Sequence, residues 1–332
     1  MRRASGGATL TRLFMIILWV LASLLSWVPR SAHAQSCVAS VSGIAFGNVD
    51  PISGNAFDAT GSVQVSCTWP GYPTAPQVLV CLSLTGASPR LLSNGPQALR
   101  YDLYVDANRL TPWGMASEGA APLGIVVSRS ADGGRTTATT TVYARIAANQ
   151  TATAANGNGA SVYDHHFGGN ETMLAYGPYP TADCTSATPR GGAFPFEVSA
   201  IVVNNCHIRA SGVAFGTVGT VGNLTQPLAA NGTLYVQCTN GAPYRIALDG
   251  GGSANVAART MRIAGTDAAI GYQLFLDASR TVSWGDGTAG TADATGLGTG
   301  SWVHIPVYGR VPAQPSPLPG DFSDTVIATI TF

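Results

Sequence analysis

An all-β chain, built as two tandem Ig-like antiparallel β-sandwiches with the C-terminal one lacking its last strand, is what this sequence predicts. Three observations carry that expectation. Charged residues make up 10% of the 332, against 40 Gly and 20 Pro, which suits short strands joined by turns rather than long helices with i,i+4 ion pairs. One ordered set of motifs occurs twice, at a whole-domain spacing. The repeated segments alternate apolar and polar residues, the strand period.

The first 34 residues read as a secretory signal peptide. Arg2, Arg3 and Arg12 open it, an apolar run covers 13–28, and Ser31-Ala32-His33-Ala34 supplies a small-residue cleavage site. The run falls short of the ~20 residues of a membrane span, and Pro29 follows it at once. Residues 1–34 hold four of the 17 Arg and none of the 17 acids, so the remainder carries 13 positive against 17 negative charges, a net −4. That balance argues against nucleic acid as a partner, which requires a basic stripe.

The six Cys are Cys37, Cys67, Cys81, Cys184, Cys206 and Cys238. An even number behind an export signal points to disulfides formed in an oxidising compartment. No two have C-x-x-C spacing, which weakens zinc and redox readings. Spacing alone leaves the connectivity open; the repeat constrains it.

Ala45-Phe46-Gly47-Asn48-Val49 matches Ala214-Phe215-Gly216-Thr217-Val218, and Val65-Ser66-Cys67-Thr68 matches Val236-Gln237-Cys238-Thr239. The segment from Tyr101 to Arg109 matches that from Tyr272 to Arg280, Trp113-Gly114 matches Trp284-Gly285, and Tyr143-Ala144-Arg145 matches Tyr308-Gly309-Arg310. The offset stays between 165 (Tyr143 to Tyr308) and 171 (Trp113 to Trp284). A period this long means tandem domains, since solenoid repeats run ~20–50 residues. The expected layout is 1–34 signal peptide, 35–203 first domain and 204–332 second domain. Cys37–Cys67 and Cys206–Cys238 occupy equivalent places and form one intradomain pair each. Cys81–Cys184 follows by elimination.

The strands come from the alternation. Tyr101, Leu103 and Val105 alternate with Asp102, Tyr104 and Asp106; Val326, Ala328, Ile330 and Phe332 share one face at the chain's end. Asn94-Gly95, Asn231-Gly232 and Asp286-Gly287 mark turns. The first copy continues past its Tyr-x-Arg strand into a further alternating segment at 194–203, with Phe196, Val198, Ala200 and Val202 on one face. The second copy has nothing to match it. A sandwich without its last strand exposes a hydrophobic groove and an open edge, and needs a strand from elsewhere, as in chaperone–pilin donor-strand complementation. Cleavage after Ala34 would leave only Gln35 and Ser36 before Cys37, no arm to donate, which places such a subunit at the end of a fibre.

These motifs, with the ending Ser323-Asp324-Thr325-Val326-Ile327-Ala328-Thr329-Ile330-Thr331-Phe332, resemble the spore coat protein U domain family. Two copies behind one signal peptide resemble the tip adhesins of archaic (Csu-type) chaperone–usher pili. The resemblance implies a non-enzymatic surface protein for attachment and biofilm formation, with an adhesive first domain and a pilin second domain. It implies a periplasmic pilus chaperone, an outer-membrane usher and an adjacent pilin subunit as partners, and export through the periplasm to the cell surface. The groove edge would be Val326, Ala328, Ile330 and Phe332. Adhesion would use apolar loops holding Trp69, Pro70 and Tyr72, and Leu174, Tyr176, Pro178 and Tyr179. The alternative function is a secreted coat or pilus subunit without a tip role.

Motifs for chemistry are scarce. Asp164-His165-His166 offers possible metal ligands, but neighbours on a strand point to opposite faces. The run Gly296 to Gly300 precedes no helix and so makes no phosphate loop. No nucleophile elbow occurs. No catalytic, cofactor or metal site is expected. Trp113 and Trp284 recur in both copies and read as core; Asp106 with Arg109, and Asp277 with Arg280, read as a turn or salt bridge.

Overall fold

The computed structural model describes residues 35–69, 76–151, 153, 159–186, 188–219, 223–315 and 318–332; the expected signal peptide, with Pro70 and Tyr72, lies outside them. Two β-rich halves follow one another. The first holds β1 Ser36–Val41, β2 Ile44–Val49, β3 Phe57–Thr68, β4 Gln77–Leu84, β5 Arg90–Asn94, β6 Gln97–Tyr104, β7 Leu123–Ser128, β8 Arg135–Ile146, β9 Ser161–Phe167, β10 Thr172–Pro178 and β11 Phe196–Val202. They form one sheet in the order β1-β3-β8-β6-β5-β9-β11-β2 and a second in the order β10-β4-β7.

The second half holds β12 Cys206–Ala210, β13 Asn223–Leu224, β14 Leu228–Cys238, β15 Pro243–Leu248, β16 Arg259–Ile263, β17 Ala269–Phe275, β18 Ala294–Leu297, β19 Val303–Val311, β20 Gln314–Pro315, β21 Phe322–Ser323 and β22 Ala328–Thr331. The orders are β12-β14-β19-β17-β16-β21 and β18-β15-β22, with β13 paired to β20. Each half thus repeats the other's frame: β12, β14, β19, β17 and β16 stand for β1, β3, β8, β6 and β5, while β15, β18 and β22 stand for β4, β7 and β10. Among the described residues no helix is long and apolar enough to cross a membrane.

Period-2 patterning builds the cores. Val63, Val65 and Cys67 of β3 point inward, and Phe196, Val198, Ala200 and Val202 of β11 do the same, so the alternation read at 194–203 is a real strand face. Trp113 and Trp284 are fully buried; their indole N–H groups donate to the carbonyls of Leu82 (2.8 Å) and Ile246 (3.0 Å). The paired Asp and Arg of each copy form a turn. Asp106 accepts from the amides of Leu110 and Thr111, and Asp277 from those of Thr281 and Val282. Arg109 and Arg280 sit at φ 58° and 57°, a conformation costly for a side-chain-bearing residue. Their guanidinium groups hold it by donating to Ala144 and Ala107, and to Gly309 and Ala278.

The disulfides are Cys37–Cys67, Cys81–Cys184 and Cys206–Cys238. The first and third join directly opposed residues of β1/β3 and β12/β14. The second ties the segment before β11 to β4.

Candidate functional site

In the first half, β11 fills the slot between β9 and β2. It runs antiparallel to β9, from Phe196↔Phe167 to Val202↔Ser161, and parallel to β2, with Val198↔Ile44 and Val202↔Val49. Phe196 stacks on Phe167 with centroids 4.4 Å apart and lies 5.9 Å from Trp113. Phe194 covers the same indole at 6.2 Å. The strand closes the core as a row of inserted side chains.

Among its described residues the second half has the walls of that slot without its occupant. β21 pairs with β16, as β9 pairs with β5. The segment 213–218, which repeats the sequence of β2, belongs to no strand. Between them lies a cavity of about 1050 Å³, lined by Val213, Phe215, Leu228, Leu274, Val307 and Val326 among others. Burial records the difference. Val49 is fully buried, whereas its counterpart Val218 is 39% exposed.

The rest of the slot is well held. Val213 and Phe215 pack where Gly232 and Gly309 present no side chain, as Ile44 packs over Gly61 in the first half. Tyr272 donates to Asp324 (2.6 Å), whose other oxygen accepts from the Gly252 amide (2.8 Å). Burial, reinforced by Asp324, pushes the Tyr272 phenol above its ordinary range. Buried Arg259 donates to the carbonyls of Leu248 and Asp249 and to Gln273; desolvation lowers its pKa. Asp249 ties the start of β22, accepting from Ile327 N at 2.9 Å. The cavity is a shaped slot on a fixed frame rather than loose packing.

Of the expected groove edge, Val326 and Ala328 line the cavity. Ile330 packs half-buried against the second core, and Phe332 is 44% exposed. The expected adhesive loops fare unevenly. Trp69 is only 3% exposed, which corrects its reading as a surface residue. It continues the inward row Val63, Val65, Cys67 beyond the end of β3, so the strand period carries it into the core. Leu174 is corrected likewise: it is buried in β10 opposite Leu82. Tyr176 is half-buried and donates to the Gln35 carbonyl (3.0 Å). Pro178 and Tyr179 alone of the described set are exposed.

Sequence reasoning passed over two polar clusters. Asp102, set by the alternation on the face opposite Tyr101 and Leu103, is buried and takes an ion pair from Arg90 at 2.9 Å; Ser88 also donates to it. Burial raises the Asp102 carboxyl above its usual range despite the Leu103 amide and the guanidinium. Tyr101 shares a hydrogen bond of 2.7 Å with His165 Nδ1, and His165 Nε2 lies 3.1 Å from Glu171. The recurrence of Arg90 as Arg259, inside paired strands, is the signal that could have found the first cluster.

The Spore Coat Protein U domain profile matches residues 26–158 and 193–329. "Protein U" of Myxococcus xanthus is 39% identical over 111 residues, 32% of this chain and 61% of that protein, so the chain spans less than two thirds of its relative's length. The CsuC–CsuE chaperone–tip adhesion subunit pre-assembly complex from Acinetobacter baumannii gives a TM-score of 0.48 at 17% identity, covering 90% of this chain and 100% of that one. The CupB6 tip adhesin from Pseudomonas aeruginosa gives 0.37 at 12% identity, covering 90% of this chain and 95% of that one.

Proposed function

The chain belongs to the Spore Coat Protein U domain family, and on that premise we propose that it is a non-enzymatic pilus subunit of the chaperone–usher kind, completed by a strand from another chain. One observation carries the reading. The slot that β11 fills in the first half stands open in the second, with both walls in place and about 1050 Å³ between them. An open apolar slot beside an unpaired edge is what β-strand addition requires: main-chain bonds supply affinity and alternate side chains supply fit. Each apolar side chain the strand buries contributes roughly 1.5–3 kcal/mol. A periplasmic chaperone would fill the slot first, and a neighbouring subunit delivered at the outer-membrane usher would fill it in the fibre.

The finer assignment is a tip adhesin. It makes 35–203 the adhesive domain and 204–332 the pilin domain of an exported protein that serves attachment and biofilm formation. A first domain closed by its own β11 and a second whose matching slot is open support it: among the described residues the open slot lies in the C-terminal half. Among the described residues, Pro178 and Tyr179 are the exposed members of the adhesive set.

Thermal unfolding of residues 35–332 tests the strand-acceptor reading. The expected result is two transitions, the lower one raised by a synthetic peptide with alternating apolar residues and untouched by a scrambled peptide. Equal response of both transitions, or of neither, would contradict it. For the tip role, cells carrying the chain without its first domain should still assemble fibres but lose attachment.

A further inference from the structure

The outer face of the second sandwich differs from that of the first across β12, β14 and β19. Across β12, β14 and β19, Arg209 stands opposite Tyr235, which stands opposite His304. The next row holds His207 opposite Gln237, with Trp302 just ahead of β19. At the same sites the first sandwich carries Ser40 opposite Gln64 opposite Thr139, and Val38 opposite Ser66 opposite Thr137. Those six positions hold small or uncharged side chains without rings, with Arg135 at their border donating to Ser66. The second sandwich has replaced them with a cation and four rings.

The replacement is organised. The Arg209 guanidinium lies 4.9 Å over the Trp302 ring, and Tyr235 meets His304 edge-on at 4.8 Å. Trp302 remains 37% exposed, a large aromatic surface left to solvent. Gln237 donates to the Gly300 carbonyl at 2.9 Å, which fixes the loop carrying the indole. β12, β14 and β19 contain no Asp or Glu, and among the described residues Arg209 forms no ion pair. In a chain whose part after residue 34 is net negative, this is a local positive face. Its four rings take no part in the second hydrophobic core.

The chemistry selects a ligand class. An exposed guanidinium held over an indole keeps N–H donors for a carboxylate. The rigid rings beside it offer apolar faces to a pyranose, and Gln237 and the imidazoles offer hydrogen bonds to its hydroxyls. One Arg is too little for a nucleic-acid backbone, which needs a run of cations. We propose that this face of β12, β14 and β19 binds an acidic saccharide, through Arg209 to its carboxylate and through Trp302 and Tyr235 to its ring. Arg209 also borders the strand-accepting slot, but the contacts proposed here are made on the outer face and do not rest on a strand occupying that slot.

Isothermal titration of residues 35–332 tests it, with oligogalacturonate, its methyl ester and sialyllactose as probes. The first and third separate a uronate polymer from a terminal sialic acid as the source. Saturable binding of at least one acid is expected, with the methyl ester bound about tenfold or more weakly. Arg209→Ser and Trp302→Thr restore the residue types of the first sandwich and should each weaken binding by about tenfold, with the circular dichroism spectrum unchanged. Should either variant misfold, His304→Thr replaces it. Binding of neither acid, equal binding of acid and ester, or binding untouched by the variants would overturn the proposal. So would equally tight binding of polyglutamate, which would make the face a protein-docking surface.

Discussion

Asp58 and Asp102 show how two carboxylates of one sandwich respond in opposite directions. Arg145 holds Asp58 through paired hydrogen bonds of 2.7 and 2.9 Å and lowers its pKa. A carboxyl depressed in the folded state contributes stability above its ordinary range, and loses it as pH falls through the depressed value. Asp58→Asn should therefore flatten the acid limb of a melting-temperature profile for the first sandwich. The effect belongs below about 1 kcal/mol because the pair is exposed, and melts across an acid series measure it. Asp102 behaves in reverse: burial raises it, so its protonation removes a desolvation cost. Trp113→Ala should be far more severe, about 3–5 kcal/mol, read by chemical denaturation. That cost was legible from the recurrence of Trp-Gly. The inward turn of Asp102 was not, because in the second sandwich Gln273 takes its place and hides the charge.

At the scale of elements, β11 is the most legible and most consequential strand. Its alternation was plain at 194–203, and the absence of a second copy pointed to the slot. The loops were less legible. Trp69 and Leu174 look like loop aromatics and aliphatics beside Pro and Gly, yet Trp69 extends the inward row of β3 and Leu174 lies within β10. Strand boundaries decide such residues, and periodicity places those boundaries only loosely. The Cys81–Cys184 bridge encloses 103 residues of separation and holds the chain ahead of β11 against β4. Replacing both by Ser should cost about 2–4 kcal/mol. Calorimetry should show the first sandwich's transition fall while the second's stays in place.

For the whole molecule, the two sandwiches meet over a short junction. Asn205 donates to Asp50 at 2.6 Å, and Thr239 accepts from the Asn205 amide at 3.0 Å. Gly300, at φ 72°, lies so close to the Thr151 carbonyl that a side chain would collide with it. Gly300→Val should force the halves apart, and small-angle scattering should report a larger radius of gyration with both melting transitions retained. None of this was visible in the sequence, where Gly300 is one glycine of a short run. The junction also sets the mechanical path. β11 passes through Val203, Asn204 and Asn205 straight into β12. Tension on the second sandwich therefore enters the first at the C-terminal end of the strand that seals it. That strand is bonded along both flanks, to β9 and to β2, so sliding it lengthwise breaks many hydrogen bonds at once instead of peeling them singly. A seal loaded in shear gives way at a higher force than one peeled from its end.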